Sequence, residues 1–449
     1  MRVSRFLASS LSNRVAIHSV VSFLGNGIAR LGGLAVAIAV AAVFGANEST
    51  DAFYLALAVT LYAFDIARIA FEGAVIPSVA VYLTQGRHVV DSFLGAAAKY
   101  VIMAAGLLSV AALGVGLPLV WGSPGTGAQA IRYGAALSLV LIPLGLSGLG
   151  NAVLLAEKRF FVPAISNAAR PLFAVVGLLV FPSSWGLWSL VVGYLVGGVV
   201  QLAVVVAALH HRGYRWKLGG SLRQVHAPLK LALPIVIGGL LINLNPIVDR
   251  FVVALALPAS NVTIFENAFR TYGALTSLLY GSIGVVLISH WASMYAQQQY
   301  SHLVRSVRAI GIASVVVLLP VTAILVVGAE SIIDLVLGRG AYDAGDVAAT
   351  ASTFVMFVIG LWPFFIAGIG SRFLYATGKT VVAVTTASIA VIANLIADLV
   401  LLQWFGLRGI ALATSVTYAL VALYVLYVLW VSMRGLNDRL TAVSNGANP

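Results

Sequence analysis

Arg30, Arg68, Arg170 and Arg270 each interrupt a long apolar run of this sequence. An arginine at the centre of such a run costs about 2.5–3.5 kcal/mol on membrane-insertion scales, so it is retained where it meets water, a partner or a ligand. Several guanidiniums around one cavity suit an anion, and their planar forks match phosphate and diphosphate oxygens. Arg30 has no acid on its own helical face; its neighbours there are Asn26 and Gly33, which describes an open, wet surface. Arg170 precedes Pro171, where a kink frees backbone carbonyls. Arg68 and Arg270 carry two readings each. Asp65 and Glu72 flank Arg68, and Glu266 precedes Arg270 by one turn, so each guanidinium either serves a ligand or is neutralised on its own helix. Lys99 and Arg372 stand close enough to predicted span ends to snorkel.

A second constellation is acidic. Asn394 and Asp398 are one turn apart and point the same way, Asp249 follows Asn245 by one turn, and Thr414 lies early in the last apolar run. Two carboxylates with amide, hydroxyl and backbone oxygens suit a hard monovalent cation or a proton. The alternative is that Asp249 pairs with a neighbouring arginine.

The elements that position these groups follow from composition. Hydrophobic residues make up 61% of the 449 and charged residues 9%, against about 25% charged in soluble domains. The chain is therefore an all-α polytopic membrane protein. With no cysteine, thiol chemistry and disulfides are excluded. A net charge of +12 would suit nucleic acid only as a basic patch on a soluble fold, so nucleic acid is not expected as a partner. A spanning helix needs roughly 20 apolar residues, and twelve segments qualify: 15–44, 52–84, 92–121, 129–155, 161–181, 186–209, 228–257, 261–294, 304–327, 347–376, 380–403 and 407–433. The first is about twice the length of a signal-peptide core and reads as a retained helix. Sixteen cations fall on one side of this topology and three (Arg132, Arg339, Arg408) on the other, which puts both termini in the cytoplasm.

Leu155-Ala156-Glu157-Lys158 matches Ala376-Thr377-Gly378-Lys379 at an offset of 221 residues, and Gly186-Leu187 matches Gly406-Leu407 at 220. The chain thus reads as two pseudo-symmetric six-helix lobes, 1–209 and 228–433, joined by a basic cytoplasmic linker at 210–227 and followed by a cytoplasmic tail at 434–449. Transporters place their substrate near the midplane between such repeats.

Asn26…Arg30…Gly33, Phe44-Gly45-Ala46-Asn47, Thr50-Asp51-Ala52-Phe53, Arg68-x-x-x-Glu72-Gly73-Ala74, Asp249-Arg250-Phe251 and Ala268-Phe269-Arg270 together resemble the lipid II flippase (MurJ/MviN) family of the multidrug/oligosaccharidyl-lipid/polysaccharide flippase (MOP) superfamily, which includes the MATE transporters. The resemblance implies that Arg30 and Arg270, joined by Arg68, hold the diphosphate of an undecaprenyl-linked saccharide. It also implies an outer gate at Asp51 and a sodium site of Asp249, Asn394, Asp398, Thr414 and the Ile410 carbonyl. Val36 and Ala67 stand where the family has further arginines, and the twelve spans are two fewer than in many members. The substrate is accordingly lipid II or a polysaccharide repeat unit. The implied protein is a monomeric transporter of the bacterial inner membrane. It would work by alternating access with sodium or proton coupling and no other cofactor, with membrane lipid and the lipid-linked saccharide as its partners. A multidrug exporter of the same superfamily would want an acidic, aromatic cavity, which the arginines argue against. A membrane glycosyltransferase using Glu48 and Asp51 would need more room than these short outer loops provide.

Overall fold

The computed structural model describes residues 31–122, 124–216, 225–226, 228, 230, 236, 244–379 and 381–444. Among them every regular element is helical. Eight helices are long and apolar enough to cross a membrane, or nine if Gly125–Ser138 and Leu141–Ala156, bent by 41°, form one span. They fall on the spans expected from the sequence. Residues 15–30 of the first expected span and much of the seventh lie outside the described residues, so the count of twelve stays an expectation.

The chain groups into two compact units. Unit 1 comprises Met1–Asn243 with two later segments, Ala254–Thr263 and Gly340–Tyr342. Its described helices are α1 (Leu31–Phe44), α2 (Glu48–Ala70), α3 (Ile76–Gln85), α4 (Arg87–Gly122), α5 (Pro124–Ser138), α6 (Leu141–Ala156), α7 (Phe161–Ser166), α8 (Ala169–Val180) and α9 (Trp188–His210).

The α1–α2 turn is fixed by its own residues. Asn47 accepts the amides of Ser49 and Thr50, and its own amide donates to the Thr50 hydroxyl, which closes a capping box. Gly45 takes a φ of +69° with the Ala341 backbone beside it, a place open to glycine alone. Ala341 in turn donates its amide to the Ala42 carbonyl. The resemblance motif at residues 44–51 is thus a local folding signal.

A one-turn π-helix at Phe71–Val75 continues α2 into α3. The expected break near Pro171 lies just before it, at Asn167–Ala168, and separates α7 from α8 within one span. Gln201 donates to Ser147 and Asn167 across that break.

After α9 the chain folds back on unit 1. The Tyr214 hydroxyl donates to Glu157 at 2.6 Å, Arg212 pairs with the same carboxylate at 3.0 Å, and the Arg215 amide donates to Asp91. Burial, with the Glu157 carboxylate, pushes the Tyr214 phenol up from its ordinary pKa. The start of the linker at 210–216 is therefore held in place.

Unit 2 comprises Leu244–Val253, Ile264–Arg339 and Asp343–Pro449. Its helices are α10 (Asn245–Ala256) and α11 (Asn261–Ala296), which both begin or end in unit 1. The others are α12 (Tyr300–Val327), α13 (Ala329–Leu337), α14 (Ala344–Val358), α15 (Leu361–Ala376), α16 (Val381–Phe405) and α17 (Leu407–Ser444). The core joins Trp291, Phe373, Leu374, Val425 and Leu429. Phe265, Phe269 and Tyr272, spaced i, i+4 and i+7 on α11, gather around Phe357 of α14 with ring centroids 5.4, 5.7 and 5.6 Å apart. That stripe fixes the rotation of α11 and directs Glu266 and Arg270, one residue further on, to the adjacent face.

Candidate substrate and cation sites

Unit 2 holds a buried cluster of three charges. Both Nε and Nη2 of Arg250 reach one Glu266 oxygen, at 2.7 and 2.6 Å, and Arg270 Nε donates to the other at 2.6 Å. The side chains are 8%, 4% and 15% exposed in the order Arg250, Glu266, Arg270. Arg250 is held on two further sides: it donates to the Pro246 carbonyl, and its guanidinium lies 5.0 Å from the Phe269 ring centre. Two guanidiniums share this one carboxylate in an apolar interior. Of the two readings open for Arg270, the structure has the guanidinium paired to Glu266. Arg250 is the member that sequence reasoning did not assign. Its distance of 16 residues from Glu266 gives no helical signal.

Next to this cluster lies the acidic constellation. Asp249 faces the side chains of Asp398, Thr414 and Asn394. α10 is tied to α16 by Asn245, whose amide donates to the Ala390 carbonyl at 3.0 Å. That bond stands one turn before Asp249 on α10 and one turn before Asn394 on α16, so the two helices run in register through the cluster. The hydrogen bonds of Arg250 go to Glu266 and Pro246, and it acts on Asp249 as a neighbouring charge. Asp249 Oδ1, both Asp398 oxygens, Asn394 Nδ2 and Thr414 Oγ1 are buried without a hydrogen-bond partner. Ile410, expected as a carbonyl ligand, is buried one turn before Thr414 on α17. Orphaned oxygens of two carboxylates and a hydroxyl fit a small hard cation.

The other expected residues lie in unit 1. Arg68 pairs with Asp65 at 3.2 Å and Glu72 at 2.7 Å and is half-exposed, the locally neutralised of its two readings. Arg170 lies 4.8 Å over the Phe64 ring, and its buried Nε has no partner. Asp51 is buried and accepts the Thr263 amide and hydroxyl at 2.7 and 2.6 Å. It thereby caps the first turn of α11, while the Thr50 oxygen lies 2.9 Å from the Thr263 hydroxyl. Thr263 was not foreseen; its 212-residue separation from Asp51 leaves no trace in sequence. Arg30 and Asn26 lie outside the described residues. Val36 and Ala67 are packed among apolar neighbours.

A family model described as "Lipid II flippase MurJ" matches residues 40–444. The chain belongs to this family. It is a multi-pass membrane transporter and not an enzyme. Among curated members, the probable lipid II flippase MurJ of Borreliella burgdorferi is 21% identical over 425 residues, covering 92% of this chain and 82% of that protein. Among solved structures, "Lipid II flippase MurJ, inward closed conformation" superimposes with a TM-score of 0.78 at 21% identity, over 92% of this chain and 87% of the other. An inward-facing MATE-family multidrug resistance transporter of the MOP superfamily gives 0.79 at 14% identity, over 94% and 99%. At these identities the solved structures establish the shared fold, which is the MurJ- and MATE-like architecture expected from the sequence.

Proposed function

We propose that this member of the MurJ family moves an undecaprenyl-diphosphate-linked saccharide from the inner to the outer leaflet by alternating access, with lipid II as the leading substrate. The observation that carries the reading is the Arg250–Glu266–Arg270 cluster. Two guanidiniums gathered inside an apolar protein favour an anion, and a diphosphate matches the fork geometry. The names of the curated relatives supply the choice of lipid II over a polysaccharide repeat unit. Arg30 and Arg170 would add to the cationic surface, with Asn26 beside Arg30, and the ion-paired Arg68 would contribute least. The prenyl tail stays in lipid while the headgroup crosses. Headgroup translocation in proteoliposomes is expected to be lost in Arg270→Ala and in Arg30→Ala. Retention of full translocation in both would overturn the cationic-site reading.

The orphaned oxygens around Asp249 and Asp398 favour cation coupling. Two carboxylates buried together need a neutralising charge, and Asp249, Asn394, Asp398, Thr414 and the Ile410 carbonyl would hold sodium, with a proton as the alternative. A cation that binds one conformation better shifts the equilibrium towards it. With both termini in the cytoplasm, the Asp51–Thr263 cap belongs to the outer gate.

A further inference from the structure

The two arginines on Glu266 differ in burial, at 8% exposed for Arg250 and 15% for Arg270. Arg250 gives it two nitrogens at 2.7 and 2.6 Å, is itself anchored by Pro246 and Phe269, and is the more deeply buried partner. Arg270 reaches it through Nε at 2.6 Å, from a more exposed side chain. A buried carboxylate left without a counter-charge is strongly destabilising, so Glu266 keeps one guanidinium at all times. Geometry decides that this is Arg250.

We infer that Glu266 is an internal counter-anion that occupies Arg270 in the substrate-free protein and yields it to an incoming diphosphate while staying with Arg250. The inference rests on the proposed anion role of Arg270. It gives Glu266 a task in specificity. A ligand must out-compete a carboxylate already in place, and a diphosphate, with more charge and more acceptor oxygens, does so where a single phosphate does not. Discrimination of this kind comes from a built-in competitor, not from extra contacts. Arg250 becomes a positioning residue that acts through Glu266.

The test measures binding of inorganic pyrophosphate and of inorganic phosphate to the purified full chain in nanodiscs by calorimetry at fixed ionic strength. In Glu266→Gln, both anions are expected to bind at least tenfold tighter, phosphate gaining more, so that the preference for pyrophosphate narrows. In Arg250→Ala, Glu266 is left to Arg270 alone and pyrophosphate affinity falls, and the double variant Arg250→Ala/Glu266→Gln recovers it. Glu266→Asp, which keeps the charge but shortens the reach, lies between wild type and Glu266→Gln, and it serves if the glutamine variant does not fold. Unchanged or weaker binding in both Glu266 variants, with Arg270→Ala abolishing it, would refute the counter-anion role and leave the anion site intact. Binding that survives Arg270→Ala would instead remove the anion site on which the inference stands.

Discussion

Asp249 and Arg250 are consecutive in α10 yet serve different neighbours: Asp249 faces Asp398, Asn394 and Thr414, while Arg250 clasps Glu266. Successive residues of a helix point about 100° apart, so one short helix touches both the candidate cation site and the candidate anion site. A cation that draws Asp249 towards α16 moves Arg250 with it. Sodium is therefore expected to change pyrophosphate affinity in the wild type, and Asp249→Asn is expected to abolish that dependence. Linkage makes the effect reciprocal. An equal sodium response in wild type and Asp249→Asn would separate the two sites.

The unpartnered oxygens of Asp398 also predict a stability effect. Sodium binding should stabilise the folded state by about 2.7 kcal/mol when sodium stands at a hundred times its Kd, and so raise the Tm relative to choline at equal ionic strength. Asp398→Asn removes one of two crowded carboxylates. That variant should melt higher than wild type in choline and show no further rise with sodium. A sodium response that persists in Asp398→Asn would place the ion elsewhere.

The Asp51–Thr263 link should behave as a coupled pair. Asp51→Ala strands the Thr263 amide, while the hydroxyl keeps the Thr50 oxygen beside it, and an unsatisfied buried donor costs about 1–3 kcal/mol. Thr263→Val removes only the hydroxyl bond. A double-mutant cycle in thermal unfolding is expected to give a coupling energy of about 0.5–3 kcal/mol. Additive losses would show that the two side chains act independently.

Where the signal was local, the sequence was readable. The apolar runs became helices at the expected places, and i, i+3 or i, i+4 spacing offered, as one of two readings, the pairing of Arg68 with its own acids and of Glu266 with Arg270. The turn at Asn47 was recognisable as a motif, and the capping box explains why. What stayed hidden depends on chain folding over long separations: Thr263 meeting Asp51, and Arg250 closing on Glu266. A pattern within one helix cannot report such pairs. For the acidic set, the i, i+4 placement of Asn394 and Asp398 gave the face, but only the α10–α16 register, set by Asn245 and Ala390, brings Asp249 to it.

Arg170 offers the clearest separation of stability from function. Its guanidinium sits over Phe64 at 4.8 Å, its Nε is buried without a partner, and Asp65, whose charge acts on it, is engaged by Arg68. A ring contact contributes about 0.5–2 kcal/mol, less than the several kcal/mol that desolvating the charge costs, so the site is maintained at the expense of stability. Replacing buried charges by apolar side chains of similar volume is often neutral or stabilising, by about 1–4 kcal/mol. Arg170→Met is therefore expected to raise the Tm while lowering headgroup translocation in proteoliposomes by at least tenfold. Arg170→Lys, which keeps the charge but not the fork, should retain the wild-type Tm with partial translocation. If Arg170→Met lowered both quantities, the arginine would be a structural element of α8 and not part of the cationic surface.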